Sequence, residues 1–310
     1  MGENMRDWTV ADMPSQAGRI ALVTGANSGL GYATALELAR RGAQVIMAAR
    51  DAGRGNAAVA RLKAEVPGAK AEFESLDLSD LESVAALATS LEQSGRPIDL
   101  LVNNAGVMAT PRGKTRQGFE TQFGINHLGH FALTMAVLPL MGAGADPRVV
   151  TVTSSLHKAG TINFDDLQSE ASYDPMKAYM QANLAKVVFA VELDRRLRAR
   201  GSRVKSVLAH PGVANSNLTS SMGAGVVKAL SSVLVPILAQ TASAGARPSL
   251  RAATDPSVTG GEFYGPRGPG EFRGAPVIVQ PAPRAKDAAL GQRLWEISEY
   301  LTQTRSTEFA

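Results

Sequence analysis

Between residue 19 and about residue 210, short apolar runs alternate with amphipathic stretches. The runs are Arg19–Thr24, Val45–Ala49, Ile98–Val102, Val149–Val152 and Val204–Leu208. Nearly continuous apolar runs of this length suit strands covered on both faces rather than strands with one wet side. The stretches 30–41, 54–66, 80–94, 118–141 and 176–200 carry apolar residues at helical spacing. Strand and helix in strict alternation predict an α/β fold with a doubly wound parallel sheet. No repeat, low-complexity tract or linker divides the pattern. It therefore reads as one domain, residues 17–300, with an N-terminal extension over 1–16 and a tail over 301–310.

Residues 213–245 break the rhythm, being rich in Ser, Ala and Gly with a weak helical pattern. Open α/β sheets bind ligands beyond the carboxyl ends of their strands, so a segment following the last alternating strand is read as a substrate lid. A Gly/Pro-dense stretch, 260–270, and a last apolar run, Val277–Val279, follow.

Composition narrows the function. Hydrophobic residues make up 45% and charged residues 19%, a globular balance. The net charge of +4 is diluted over the chain. No nucleic-acid partner is expected, because that needs Lys and Arg gathered on one face. The absence of cysteine excludes disulfides, thiolate metal sites and thiol nucleophiles. It fits a reducing compartment, and a cytoplasmic protein is expected. The first eighteen residues carry acids and no apolar run, and Val226–Leu238 is broken by Lys228 and Pro236. No membrane span is expected, since one needs about 20 apolar residues.

The first strand ends in Thr24-Gly25-Ala26-Asn27-Ser28-Gly29-Leu30-Gly31, spaced Gly-x-x-x-Gly-x-Gly and opening a helix. Such glycines permit a tight turn, let backbone approach a pyrophosphate, and let the helix pack close to the strand. The exposed amides and the helix dipole then hold phosphate. NAD-binding sheets place an acid at the end of the second strand for the ribose hydroxyl. Here that position holds Arg50, a partner for a 2′-phosphate, with Arg54 one turn on. NADP(H) is therefore favoured over NAD(H). Asp51 is the competing acid, though it also suits a helix N-cap.

Further markers follow in order: Asp77-Leu78, Asn103-Asn104-Ala105-Gly106, Gly118 to Phe131 with Asn126 within it, Val149 to Ser155, and His210-Pro211-Gly212-Val213. With the glycine turn, these resemble the short-chain dehydrogenase/reductase family, in its retinol-dehydrogenase-like and carbonyl-reductase-like branch. The likeness covers roughly 17–300 and implies a Rossmann-type fold. It also implies an oxidoreductase interconverting a ketone or aldehyde with an alcohol. Gly25, Asn27, Ser28, Gly29, Leu30, Gly31 and Arg50 would bind the nucleotide. Asp77 and Leu78 would meet adenine, and Asn104, Ala105 and Gly106 the adenosine ribose. Pro211, Gly212, Val213 and Ser216 would position the nicotinamide. Ser155 would polarise the substrate oxygen, Tyr179 would handle the proton, and Asn126 would hold a water of the proton relay.

The family's central motif is Tyr-x-x-x-Lys, whose two side chains share a helix face one turn apart. A literal match, Tyr173 to Lys177, contains Pro175, which biases Asp174 away from helical geometry. Pro175 reads instead as a first helical turn capped by Asp174. Tyr179-Met-Gln-Ala-Asn183-Leu-Ala-Lys186 resembles the branch's usual Tyr-x-x-Ser-Lys-Leu-Ala-Asn with Lys and Asn exchanged. Tyr179 is thus the candidate, and Asn183 stands where the lysine belongs. An amide can bond ribose hydroxyls but supplies no charge, so oxidation, which needs a base, suffers more than reduction. Lys186 lies −20° around the helix from Tyr179 and about 10 Å along it. Two readings are open: a substitute cation, or a surface lysine that merely traded places.

The remaining candidates are minor. His127 and His130 have no accompanying carboxylate and read as packed histidines rather than a metal pair. His157 could face the pocket, whereas His210 is read as structural and Asp165-Asp166 as a solvated loop. The stretch 161–178 resembles the branch's insertion beside the substrate mouth. It obstructs tetramer packing there, so a monomer or a homo-oligomer is expected. The rival function is a cofactor-binding protein with lost or repurposed chemistry, such as an isomerase, cyclase or sensor.

Overall fold

The computed structural model describes residues 7–144, 146–213 and 240–305. Its sheet is built from β1 (Ile20–Thr24), β2 (Gln44–Ala49), β3 (Ala71–Ser75), β4 (Leu100–Asn103), β5 (Arg148–Val152), β6 (Lys205–Ala209), β7 (Phe263–Pro266) and β8 (Pro276–Ile278). Their order across the sheet is 3-2-1-4-5-6-7-8, all parallel except β8, which runs antiparallel to β7. The order reverses between β1 and β4, where Val23 pairs with Met47 on one side and Val102 on the other. This is the Rossmann-type doubly wound sheet, and the crevice at the reversal is where such sheets take ligands.

Helices cover both faces. On one face α1 (Gly29–Arg40) and α2 (Ala52–Glu65) lie behind β1, β2 and β4, and Leu36, Leu38 and Leu62 join Val23, Val45 and Val102 in one core. On the other, α3 (Leu81–Gln93), a short turn α4 (Thr121–Phe123), α5 (Gly129–Val137) and α6 (Pro175–Ala199) bury Val84, Leu87, Phe131 and Phe189 against Leu22, Leu101 and Val149. A five-residue π-helical turn, Gly124–Leu128, joins α4 to α5. Two helices complete the layers, α7 (Ala242–Thr254) and α8 (Ala288–Thr302), the latter stacking Trp295 on Phe189 at 5.9 Å. The stretch Thr121–Leu140 is apolar and long enough by composition to cross a membrane, but 78% of its most apolar window is buried. A helix apolar all round and covered by its own fold is a core helix.

Local chemistry explains the boundaries. Asp174 caps α6 by accepting from the amides of Met176 (2.8 Å) and Lys177 (2.9 Å), with Pro175 in the first turn. Asp51 caps α2 through the Arg54 amide, so α2 begins at Ala52 rather than 54. Two features go beyond the sequence reading: β7 lies within the Gly/Pro-dense stretch, and Trp8 and Met13 of the N-terminal extension are buried in the core. Most of the expected lid, 214–239 with Ser216, lies outside the described residues.

Candidate active site

At the carboxyl end of β1 the chain turns through Gly25, which sits at φ +67°, and Gly29, at φ +56°. Gly31 faces the turn itself: a Cβ there would collide with the Gly25 carbonyl and lie 2.6 Å from the Asn104 amide nitrogen. The helix can therefore start flush against the strand. Ser28 is the N-cap of α1 but makes no side-chain cap hydrogen bond. With Asn27, Gly29 and Leu30 it frames a helix start whose first amides are left for another acceptor. An open helix start beside a turn with no room for a Cβ fits a dinucleotide pyrophosphate.

The floor of this cradle is pinned by Thr24. Its hydroxyl accepts the amides of Asn104 (3.0 Å) and Ala105 (2.9 Å), and the Asn104 side chain returns a bond to the Thr24 carbonyl (2.8 Å). The same hydroxyl lies 3.0 Å from Nε2 of His130, whose Nδ1 is 3.0 Å from the Asn126 carbonyl. Asn126 in turn clasps Val107 through both side-chain atoms, at 2.8 and 2.9 Å, and packs on Gly106. β1, β4 and the π-helical turn are thereby tied in one network.

At the rim, Arg50 is exposed at the end of β2. Asp51 spends its carboxylate on the Arg54 amide at 2.8 Å and the Arg54 guanidinium at 3.3 Å. Asp77 accepts from the Ser79 amide (2.9 Å) and hydroxyl (2.6 Å), beside buried Leu78. Beyond β6, Gly212 adopts φ +66° and Val213 donates to the Phe272 carbonyl at 2.9 Å, while Gln240 holds the Pro211 carbonyl at 2.6 Å. Glu271 bridges Lys158 (2.5 Å) and His210 (2.9 Å), which fastens this loop to the turn after β5.

Tyr179 enters from the first turns of α6, 7% exposed. The side chains of Ser154 and Asn183 lie close enough to its phenol to bear on its ionisation. Burial pushes the phenol above its ordinary value, against the influence of these two polar neighbours, which favours the phenolate. The serine that meets Tyr179 is thus Ser154, not the expected Ser155. Past Val152 the strand gives way to a short 3-10 turn, Ser155–Ala159, and Ser154 is its N-cap, accepting from the Leu156 amide at 3.3 Å. Serine is favoured at such a cap, and this signal was available in the sequence.

Asn183 is engaged within the protein: its amide donates to the Tyr179 carbonyl (2.9 Å), and the Thr153 hydroxyl approaches its backbone and side-chain oxygens at 3.2 Å. Lys186 is not a surface lysine. It is 4% exposed, and burial holds its amine down at about 7. The rejected Tyr173 faces elsewhere, donating to the Thr110 carbonyl at 2.8 Å and accepting from Gln122 at 3.0 Å. His157 does not offer its ring to the pocket: Nδ1 lies 2.7 Å from the Ser154 carbonyl and Nε2 accepts from the Ala282 amide at 3.1 Å. The insertion covers α6, where Gln181 binds the Asn163 amide (2.9 Å) and the Leu167 carbonyl (3.1 Å).

Comparison with known proteins follows the same outline. A family model described as short chain dehydrogenase matches residues 19–225. Human retinol dehydrogenase 14 is 40% identical over 300 residues, covering 92% of this chain and 86% of that protein. Mouse polyprenol dehydrogenase is 40% identical over 287 residues, covering 91% and 83%. The crystal structure of an uncharacterised protein from Mycobacterium paratuberculosis superposes with a TM-score of 0.81 at 43% identity, covering 97% of this chain and 99% of that one.

Proposed function

Because the chain belongs to the short-chain dehydrogenase family and is an NAD(P)-dependent oxidoreductase acting on alcohol and carbonyl groups, we propose that it reduces an apolar ketone or aldehyde with NADP(H) as the preferred nucleotide. The observation that carries this reading is the buried phenol of Tyr179 with the polar side chains of Ser154 and Asn183 beside it. Above its ordinary value the phenol stays protonated at neutral pH, the form a proton donor needs. A nucleotide held at the glycine turn would supply the hydride for the carbonyl carbon. Ser154 donates to the carbonyl oxygen and polarises it, and Tyr179 delivers its proton to the same oxygen as negative charge develops there. Asn126, locked to Val107, holds the π-helical turn against the site, and Asn183 fixes the first turns of α6.

Arg50 supports the preference for the 2′-phosphate, since the neighbouring acid is already spent on its own helix. Retinol and polyprenol, named for two of the relatives, are long apolar isoprenoid alcohols, which makes a hydrophobic aldehyde or ketone of that size the first substrate class to screen. Asn183 favours the rival reading of lost redox chemistry, because it brings no charge to the phenol. The test is turnover of a panel of isoprenoid, aromatic and aliphatic carbonyls with NADPH and NADH, alongside calorimetry of nucleotide binding. Turnover with NADPH and micromolar binding are expected; binding without turnover of any compound favours the rival.

A further inference from the structure

We propose that Glu271 is a positioning residue of the candidate site: its carboxylate fixes the tautomer of the His210 ring, and through that ring the Gly212 amide and the loop after β6. This is the loop expected to meet the nicotinamide end of the nucleotide. The proposal deepens the reductase reading and rests on it.

The Gly212 amide donates to Nδ1 of His210 at 3.2 Å, and Nε2 of the same ring lies 2.9 Å from the Glu271 carboxylate. A backbone N–H can only donate, so Nδ1 is the bare nitrogen and Nε2 carries the hydrogen that Glu271 accepts. His210 is fully buried just past the end of β6. Gly265 in β7 makes room for the ring, since a Cβ there would collide with Nε2, and Phe263 packs edge-on against it at 5.3 Å. With the ring so placed, the carboxylate decides which nitrogen holds the hydrogen. The next residue tightens the same hold. The Phe272 carbonyl accepts from the Val213 amide at 2.9 Å, and a Cβ on Gly212, at φ +66°, would collide with that carbonyl.

The turn between β7 and β8 is bent to deliver this carboxylate. Gly270 sits at φ +63° and Glu271 at φ +59°. Left-handed geometry suits glycine; a long side chain persists there only where its surroundings demand it. A glycine at 271 would relieve the backbone and forfeit the acceptor.

Burial decides which partner of Glu271 matters. Lys158 binds it at 2.5 Å, but the lysine side chain is 42% exposed, so solvent screens that pair and leaves it weak. The His210 side chain is 0% exposed, and a buried N–H left without an acceptor is costly. The bond to His210, reinforced by Lys158, holds the Glu271 carboxyl down at about 2 against its partial burial, so the acceptor is ionised at neutral pH.

The experiment compares wild type, Glu271→Ala, Glu271→Gly, Glu271→Gln and Lys158→Ala. Ring-nitrogen NMR of the nucleotide-free proteins reads the tautomer of His210. Calorimetry reads the binding of NADPH and of adenosine 2′,5′-bisphosphate, which lacks the nicotinamide half. Wild type should hold the Nε2–H tautomer alone. Glu271→Ala should mix the two tautomers and weaken NADPH binding by about tenfold, the weight of one buried hydrogen bond, with the bisphosphate unchanged within about twofold. Glu271→Gly, free of left-handed strain, should behave alike, and it carries the test if the alanine protein fails to fold. Glu271→Gln, which keeps an acceptor oxygen, and Lys158→Ala should bind NADPH within about threefold of wild type. A His210 ring that keeps one tautomer in the folded alanine or glycine variant overturns the proposal, as does a Lys158→Ala protein that loses as much NADPH binding as they do. NADPH binding untouched in those variants also overturns it and leaves the reductase reading standing. A wild type that binds neither NADPH nor the bisphosphate overturns both.

Discussion

Replacing Lys186 by Met should stabilise the protein by an amount that depends on pH in one direction only. The amine titrates at about 7 in the folded chain against 10.5 when free, a difference of 10.5 − 7 = 3.5 units. At 1.36 kcal/mol per unit, the folded state bears a ceiling of ~5 kcal/mol for carrying the ammonium. A depressed lysine means that the unfolded chain binds more protons between pH 7 and 10.5. Stability of the wild type therefore rises across that window and is flat below it. Methionine, of similar length and apolar, removes the dependence. The gap between variant and wild type should be widest at pH 6 to 7 and should narrow by ~3 kcal/mol by pH 9, two units at the same slope. The assay is urea denaturation of both proteins at each pH, reading the difference in extrapolated stability; all other titrating groups cancel between them. His127 and His130 stay uncharged throughout the window and do not intrude. A gap that stays constant from pH 6 to 9 refutes the reasoning, because Lys186 would then titrate alike in the folded and unfolded chains.

Other tests address the site piece by piece. Tyr179→Phe should lower kcat by about 10²–10⁴, the usual weight of a general acid, while Tyr173→Phe, whose hydroxyl serves the Thr110 carbonyl, should stay within about threefold of wild type in steady-state turnover. Ser154→Ala should cost about 10²-fold in kcat/KM, as loss of one oxyanion donor does; Ser155→Ala should leave the rate nearly intact, and the reverse ranking would return the role to Ser155. Arg50→Gln should weaken NADPH binding by about tenfold, some 1.4 kcal/mol, and leave NADH binding unchanged, as measured by isothermal titration.

The alternation of apolar runs with helical stretches was enough to read β1, β2, β4, β5 and β6 and the stretches that hold α1 to α6, because strands covered on both faces cannot hide their composition; β3, Ala-Glu-Phe-Glu-Ser and only partly buried, gave no such run. β7 was not legible: its Phe-Tyr-Gly-Pro sequence is held by its neighbours β6 and β8 rather than by any preference of its own. The glycine turn and Asn104 could be read directly, since their chemistry is local. The serine was missed by one residue. Where a strand passes into a turn, a shift of one position points a different side chain at the site, and only the 3-10 turn after Val152 fixes that phase. Lys186 was placed on the right face by helical geometry, yet its burial was not visible, because it depends on the π-helical turn packing against α6.

The Thr24 hydroxyl joins the two strands at the reversal to the turn that carries Asn126. One atom is thus shared by the glycine-turn half of the cleft and the half that carries Asn126. Such a rivet leaves little freedom to adjust either half there without disturbing the other. Variation in taste for one nucleotide over another is then steered outward, to exposed positions such as Arg50, where a side chain can change and the machinery behind it need not notice.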